Sequence, residues 1–121
     1  MSIMTEAQYN AVAGFLPELI NQEQARILVS PKEQAPGFWF GGGNMVQDRE
    51  GTIWLSGRFR NAGDSRTGLA KGERGLECAV YASRDGGVNF EKIHSWDKAD
   101  LSYENAEVLS IEGTALHVQS D

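Results

Sequence analysis

Apolar residues recur at spacings of three and four from Thr5 to about Asn21, at Tyr9, Val12, Phe15, Leu16, Leu19 and Ile20. That is the spacing of one helix face. Thr5 can cap the start, and Gln8 three positions on completes a capping box. Pro17 lacks a backbone N–H and its ring clashes with the preceding turn, so a kink or break is expected near Leu16. The stripe is expected to pack on the chain's own domain, with a docking helix for another chain as the alternative.

Beyond the helix the period falls to two. Arg26–Ser30 is a short predicted strand ended by Pro31, and residues 38–47 are extended but interrupted by Gly41-Gly42-Gly43. Asp48-Arg49-Glu50-Gly51 is a turn. Residues 52–60 alternate, with Ile53 and Leu55 facing one way and Thr52, Trp54 and Ser56 the other. A polar, Gly-rich loop over 61–76 leads to a strand over 77–82. Ser83-Arg84-Asp85-Gly86-Gly87-Val88-Asn89-Phe90 is then a hairpin tip, in which Asp85 bonds backbone ahead of it and glycine accepts positive φ. Residues 98–105 connect onward, and 109–119 read as a second hairpin.

Composition agrees with a β-rich chain: 14 glycines among 121 residues indicate many turns. The net charge of −6 argues against nucleic acid or an anionic membrane as partner. No apolar run approaches the ~18 residues of a membrane span, and no signal peptide is visible at the N-terminus. The single cysteine, Cys78, alternates with Val80 and Ala82 and is expected to be a buried hydrophobe. His94 and His117 lie far apart with no acidic or thiol partner at ligand spacing, so neither a metal nor a cofactor is expected. His117 reads as a structural histidine.

The cations are clustered. Arg58, Arg60, Arg66, Lys71 and Arg74 place five of 11 positive residues within 17 positions. Asp64, Glu73 and Glu77 lie among them, so one reading is a salt-bridged loop and the other an anion site built on the planar forks of arginine. Gly42-Gly43-Asn44 is equally open. Glycines mark a close backbone approach or a bound ligand, and Asn44 can both donate to and accept from sugar hydroxyls. Trp54 is expected in the core, whereas Trp39 beside the glycines is the candidate exposed stacking platform.

Ser83, Asp85, Gly87 and Phe90 match Ser-x-Asp-x-Gly-x-x-(Trp/Phe), and this stretch resembles the Asp-box of sialidase-like β-propellers. Residues 42–91 look like the first blade of such an enzyme, with Asp48-x-x-Gly51-Thr52-Ile53-Trp54 as the first turn, Gly57-Arg58 as the strand end and Asp64 in the loop. The resemblance implies an all-β fold in which a four-stranded antiparallel blade over 38–97 follows a helix and lead-in strand over 1–37. Residues 98–121 would begin the next blade. It implies that the Asp-box is structural, Asp64 the acid/base catalyst and Arg58 a substrate ligand; Arg60, Arg66, Arg74, Asn44 and Trp39 are the further substrate-binding candidates read from the cation cluster, the glycines and the exposed ring. The family's inner-strand arginine followed by Ile-Pro is absent, Gly42-Gly43-Asn44 standing there instead. That points away from a true sialidase to an enzyme for another sugar or a uronic acid.

The leading expectation is a glycoside hydrolase acting on a terminal, acidic sugar, with this chain supplying the acid and other blades the second group. A polysaccharide lyase on a uronate glycan and a non-catalytic glycan- or protein-binding propeller are the alternatives. One blade takes about 40–50 residues, so the ring cannot close from this chain alone. The expected partner is a second polypeptide bearing the remaining blades, such as the other product of cleavage after Asp121.

Overall fold

The computed structural model describes residues 4–61 and 75–119. Helix α1 spans Glu6–Leu19 and opens with the expected capping box: Gln8 N donates to the Thr5 hydroxyl at 3.3 Å and Thr5 N to Gln8 Oε1 at 2.9 Å. The break expected near Leu16 does not occur. Pro17 falls in the last turns, where it deprives only the Ala13 carbonyl of a donor, and the helix ends two residues later. Nor does the stripe pack on this domain, since no α1 residue is buried and Tyr9, Phe15 and Leu19 are all more than half exposed. The segment after the helix covers the sheet instead. Val29 packs on the core and Lys32 pairs with Glu77 while lying over Phe59.

Five strands form one antiparallel sheet: β1 (Trp39–Gly41), β2 (Met45–Gln47), β3 (Ile53–Arg60), β4 (Glu77–Ser83) and β5 (Glu91–Asp97). They occupy four rows, because β1 and β2 both pair with β3, at opposite ends of it. β4 pairs along β3 from Ile53↔Ser83 to Phe59↔Glu77, and β5 follows β4 with a bulge at Val80/Tyr81. Short helix α2 (Lys98–Leu101) closes the meander, capped by Asp97.

The alternation read along 52–60 holds. Leu55 and Phe59 join Phe40, Ala79, Tyr81 and Phe90 in the core on one face. Phe40 meets the rings of Phe59 at 4.9 Å and Tyr81 at 5.3 Å. Gly57 makes that possible, since a Cβ there would lie 2.7 Å from the Phe40 ring. Cys78 is buried, as expected. Trp54 is only half-buried, its indole N–H donating to Asp48 Oδ2 at 2.8 Å.

Two expected strands are missing. Residues 26–30 and 109–119 form no strand, with a bend at 28–29, because β propensity becomes a strand only where a neighbour supplies ladder hydrogen bonds. The second of these runs along the other side of the β1–β2 break. Ile111 N donates to Gly75 O at 2.9 Å and Thr114 N to Gly42 O at 3.2 Å.

Both Asp-Gly turns lie at the same end of the sheet. Asp48 Oδ1 accepts from Glu50 N and Thr52 N, and Gly51 takes φ +87°. Asp85 Oδ1 accepts from Val88 N at 3.0 Å, Asn89 N at 2.9 Å and the Ser83 hydroxyl at 2.8 Å, which itself accepts from Gly87 N. Asn89 Nδ2 donates to Asp85 Oδ2 at 2.7 Å.

The Asn89 amide, the Ser83 hydroxyl and the Asn89 side chain together hold the Asp85 carboxyl down to about 2, against an ordinary 3.8. A depressed carboxyl contributes stability that is present above its unfolded value and lost as pH falls through its folded value. The unfolding midpoint should therefore drop between pH 4 and pH 2, and Asp85→Asn should flatten that part of the profile. Denaturant titrations across this range measure it.

Gly43→Ala should also destabilise, because its Cβ would stand 2.1 Å from the Ser56 carbonyl oxygen. Backbone on both sides cannot yield cheaply, and overpacking of this kind costs about 1–3 kcal/mol. Urea unfolding of the alanine variant tests this directly.

Candidate functional site

Strand pairing sets Arg58 opposite Gly41 and Arg60 opposite Trp39, both arginines on the face away from the aromatic core. Trp39 lies over Gly41, where a Cβ would sit 2.8 Å from its ring. The indole thereby reaches the Arg58 guanidinium at 5.3 Å, an arrangement that favours a cation over a ring face. Gly42 closes a second side: with φ +72°, a Cβ there would meet Arg58 Nε at 3.4 Å and the Glu112 carbonyl at 3.4 Å.

Arg58 is only 9% exposed. Its Nη2 pairs with Glu112 Oε2 at 3.2 Å, and the Ser110 hydroxyl donates to Glu112 Oε1 at 2.6 Å. Nε and Nη1 are shut off from solvent and have no hydrogen-bond partner among the described residues. A buried donor left unmatched costs about 1–3 kcal/mol and more when charged. The arrangement is therefore one that an added oxygen acceptor would stabilise.

The other predicted site residues divide plainly. Trp39 is exposed, at 43%, and stands with Arg58 and half-buried Arg60. Asn44 is close by, but its amide is engaged: Leu116 N donates to Oδ1 at 2.7 Å, Nδ2 donates to Leu116 O at 2.9 Å and the Ser56 hydroxyl donates to Oδ1 at 3.1 Å. Of the two readings of Gly42-Gly43-Asn44, close backbone approach is the one that the contacts describe. Asp64, Arg66 and Arg74 lie outside the described residues. Ser83, Asp85, Gly87 and Phe90 form the turn at the far end of the strands from Arg58.

Glu112 and Ser110 were not anticipated. Their segment reads as a hairpin, and nothing in local spacing announces an ion pair with a strand so distant along the chain. His94 is exposed and meets Trp96 edge-on at 4.3 Å, and His117 is exposed. Among the described residues no group of three His, Cys, Asp or Glu side chains is placed to hold a metal ion. A cavity of about 570 Å³ opens beside Trp39, walled by Ile27, Leu28, Phe38 and the backbone of Gly41–Gly43. Trp39 thus stands between this hollow and a buried cation.

No family model matches the chain, and neither the characterised proteins nor the solved structures searched give a match.

The Asn44 contacts tie residues 114–116 to the sheet. Asn44→Ala should loosen that tie by about 0.5–1.5 kcal/mol, the usual net worth of a hydrogen bond. Hydrogen exchange should then accelerate at the Leu116 amide and leave the Tyr81 amide protected.

Proposed function

We propose that this chain is the opening blade of a sialidase-like β-propeller glycoside hydrolase acting on a terminal, acidic sugar. The observation that carries the reading is Arg58. It is a buried guanidinium at the end of β3, over Trp39, with two donors unmatched among the described residues. Glu112 supplies a counter-charge at Nη2, and a further carboxylate supplies the oxygen lone pairs that the other two donors lack. The four-row antiparallel meander, with the Asp85 turn at the opposite end from Arg58, is the arrangement expected of a blade with a structural Asp-box.

In this reading Arg58 and Arg60 hold the sugar carboxylate and Trp39 carries an apolar face of the ring. Asp64 protonates the leaving oxygen. The group that attacks or stabilises the anomeric centre comes from the rest of the ring, on further polypeptide, because hydrolysis needs two such groups. A neutral-sugar glycosidase would have less use for a buried guanidinium in a chain of net charge −6.

The test is hydrolysis of chromogenic glycosides of glucuronic acid and N-acetylneuraminic acid by the intact protein. Asp64→Asn should lower kcat by about 10²–10⁴-fold, the usual worth of a general acid. Arg58→Lys should raise KM sharply, because a point charge does not replace a planar fork. An unsaturated product absorbing in the ultraviolet from a uronate polymer would replace this reading with the lyase. Acidic-sugar binding without turnover would leave a binding module.

A further inference from the structure

Tyr9, Val12, Phe15, Leu16, Leu19 and Ile20 are each between 46% and 66% exposed, and no residue of α1 is buried. Isolated helices shorter than about 12–15 residues are marginal in water even when rich in alanine. α1 has 14 residues and includes Gly14 and Pro17, the two poorest helix formers. Its apolar stripe therefore needs a surface to cover it.

The turn after the helix keeps that surface from being the chain's own sheet. Asn21 Oδ1 accepts from Glu23 N at 3.1 Å and Gln24 N at 3.2 Å, and Ala25 N donates to Gln22 O at 3.3 Å. These bonds close the connection over residues 21–25 with α1 clear of the core. Folding the helix back would have to open them, whereas a second molecule meets the stripe with the turn intact.

The chain also carries a receiving site. The hollow of about 570 Å³ lies within the range of roughly 300–1,000 Å³ that takes up ligands. Ile27 in its wall is 73% exposed, and Leu28 and Trp39 are also open to solvent. Among the described residues its one charged group is Arg26, whose Nη2 donates to the neutral Gly87 carbonyl at 2.7 Å. α1 is the converse, since its only charged residues are Glu6 and Glu18. An apolar stripe flanked by carboxylates thus meets an apolar wall beside a cation.

We propose that α1 is an arm that docks in the hollow of a second copy of this chain, two copies exchanging arms about a two-fold axis. Each copy gives one arm and receives one, so the exchange closes at two. A half-exposed large side chain offers roughly 100 Å², so two stripes present on the order of 1,200 Å², before the hollows are counted. That reaches the lower bound of a stable interface. The inference does not rest on the reading of Arg58.

The experiment is sedimentation of the intact protein over a concentration series, in salt that screens the repulsion between two copies of charge −6. Dimer should form with rising concentration, and the helical circular dichroism signal should rise with it. Phe15→Glu charges the stripe and Ile27→Glu the hollow, and both side chains are more than half exposed, so neither change strains the core. Each variant alone should dimerise about 10-fold more weakly. An equimolar mixture of the two should regain association, because the intact arm of the Ile27 variant meets the intact hollow of the Phe15 variant. Undiminished dimer in Ile27→Glu, or a mixture that regains nothing, overturns the docking of arm in hollow. A wild type that stays monomeric throughout overturns the second copy as partner, and hydrogen exchange at the Phe15 amide then tells an arm folded on its own sheet from one left free.

Discussion

The close approach of Gly43 to the Ser56 carbonyl organises this end of the molecule. With 2.1 Å between a notional Cβ and that oxygen, no side chain fits, and only glycine lets the first row pass so near β3. The passage divides the row into β1 and β2 and removes ladder hydrogen bonds at the break. The flanking residues supply replacements. The Gly42 carbonyl, turned by φ +72°, accepts from Thr114, and the Asn44 amide takes the place of a peptide group toward Leu116. The C-terminal segment is therefore held where Glu112 reaches Arg58. One steric exclusion thus sets both the edge of the sheet and the environment of its buried cation.

The two ends of the sheet solve opposite problems. At the turn end, Asp48 and Asp85 gather donors from backbone, hydroxyl, amide and indole, so the carboxylates stay ionised and the loops stay fixed. Trp54 donating to Asp48 is the first cause of that carboxyl's lowered pKa, as the Asn89 amide is for Asp85. At the other end a charged group is buried with donors unmatched among the described residues. Full satisfaction favours rigidity, whereas incomplete satisfaction in a folded chain is where a ligand gains most. The satisfied and the unsatisfied polar groups are separated by the length of a strand.

Local order was legible where one short stretch contains both partners. Asp85 with its glycines, Asp48 with Gly51, the Thr5/Gln8 box and the alternation of 52–60 all close within a few residues, and all appear in the structure. What failed depends on neighbours. Residues 26–30 and 109–119 have strand composition but form no ladder, and the α1 stripe has no face to meet because Val29 and Lys32 occupy the sheet. The same limit applies to the site. Gly57-Arg58 marks the arginine, but its burial arises from Trp39 and Gly42 across the sheet, and its counter-ion Glu112 comes from the far end of the chain.

The proposed acidic ligand of an acidic protein constrains how recognition would work. With a net charge of −6 the chain as a whole does not draw in a carboxylate. Screening confines exposed charges to a range of roughly 8 Å at physiological ionic strength, so attraction has to be generated at contact. Contact attraction is strong only where water is excluded, because the same pair of charges gains several-fold as the local dielectric falls. Trp39 provides that exclusion without competing for the guanidinium's donors, since a ring face interacts with the cation yet accepts no conventional hydrogen bond. A polar residue at position 39 could instead satisfy the donors of Arg58. In the proposed reading the exposed tryptophan and the buried arginine therefore act together.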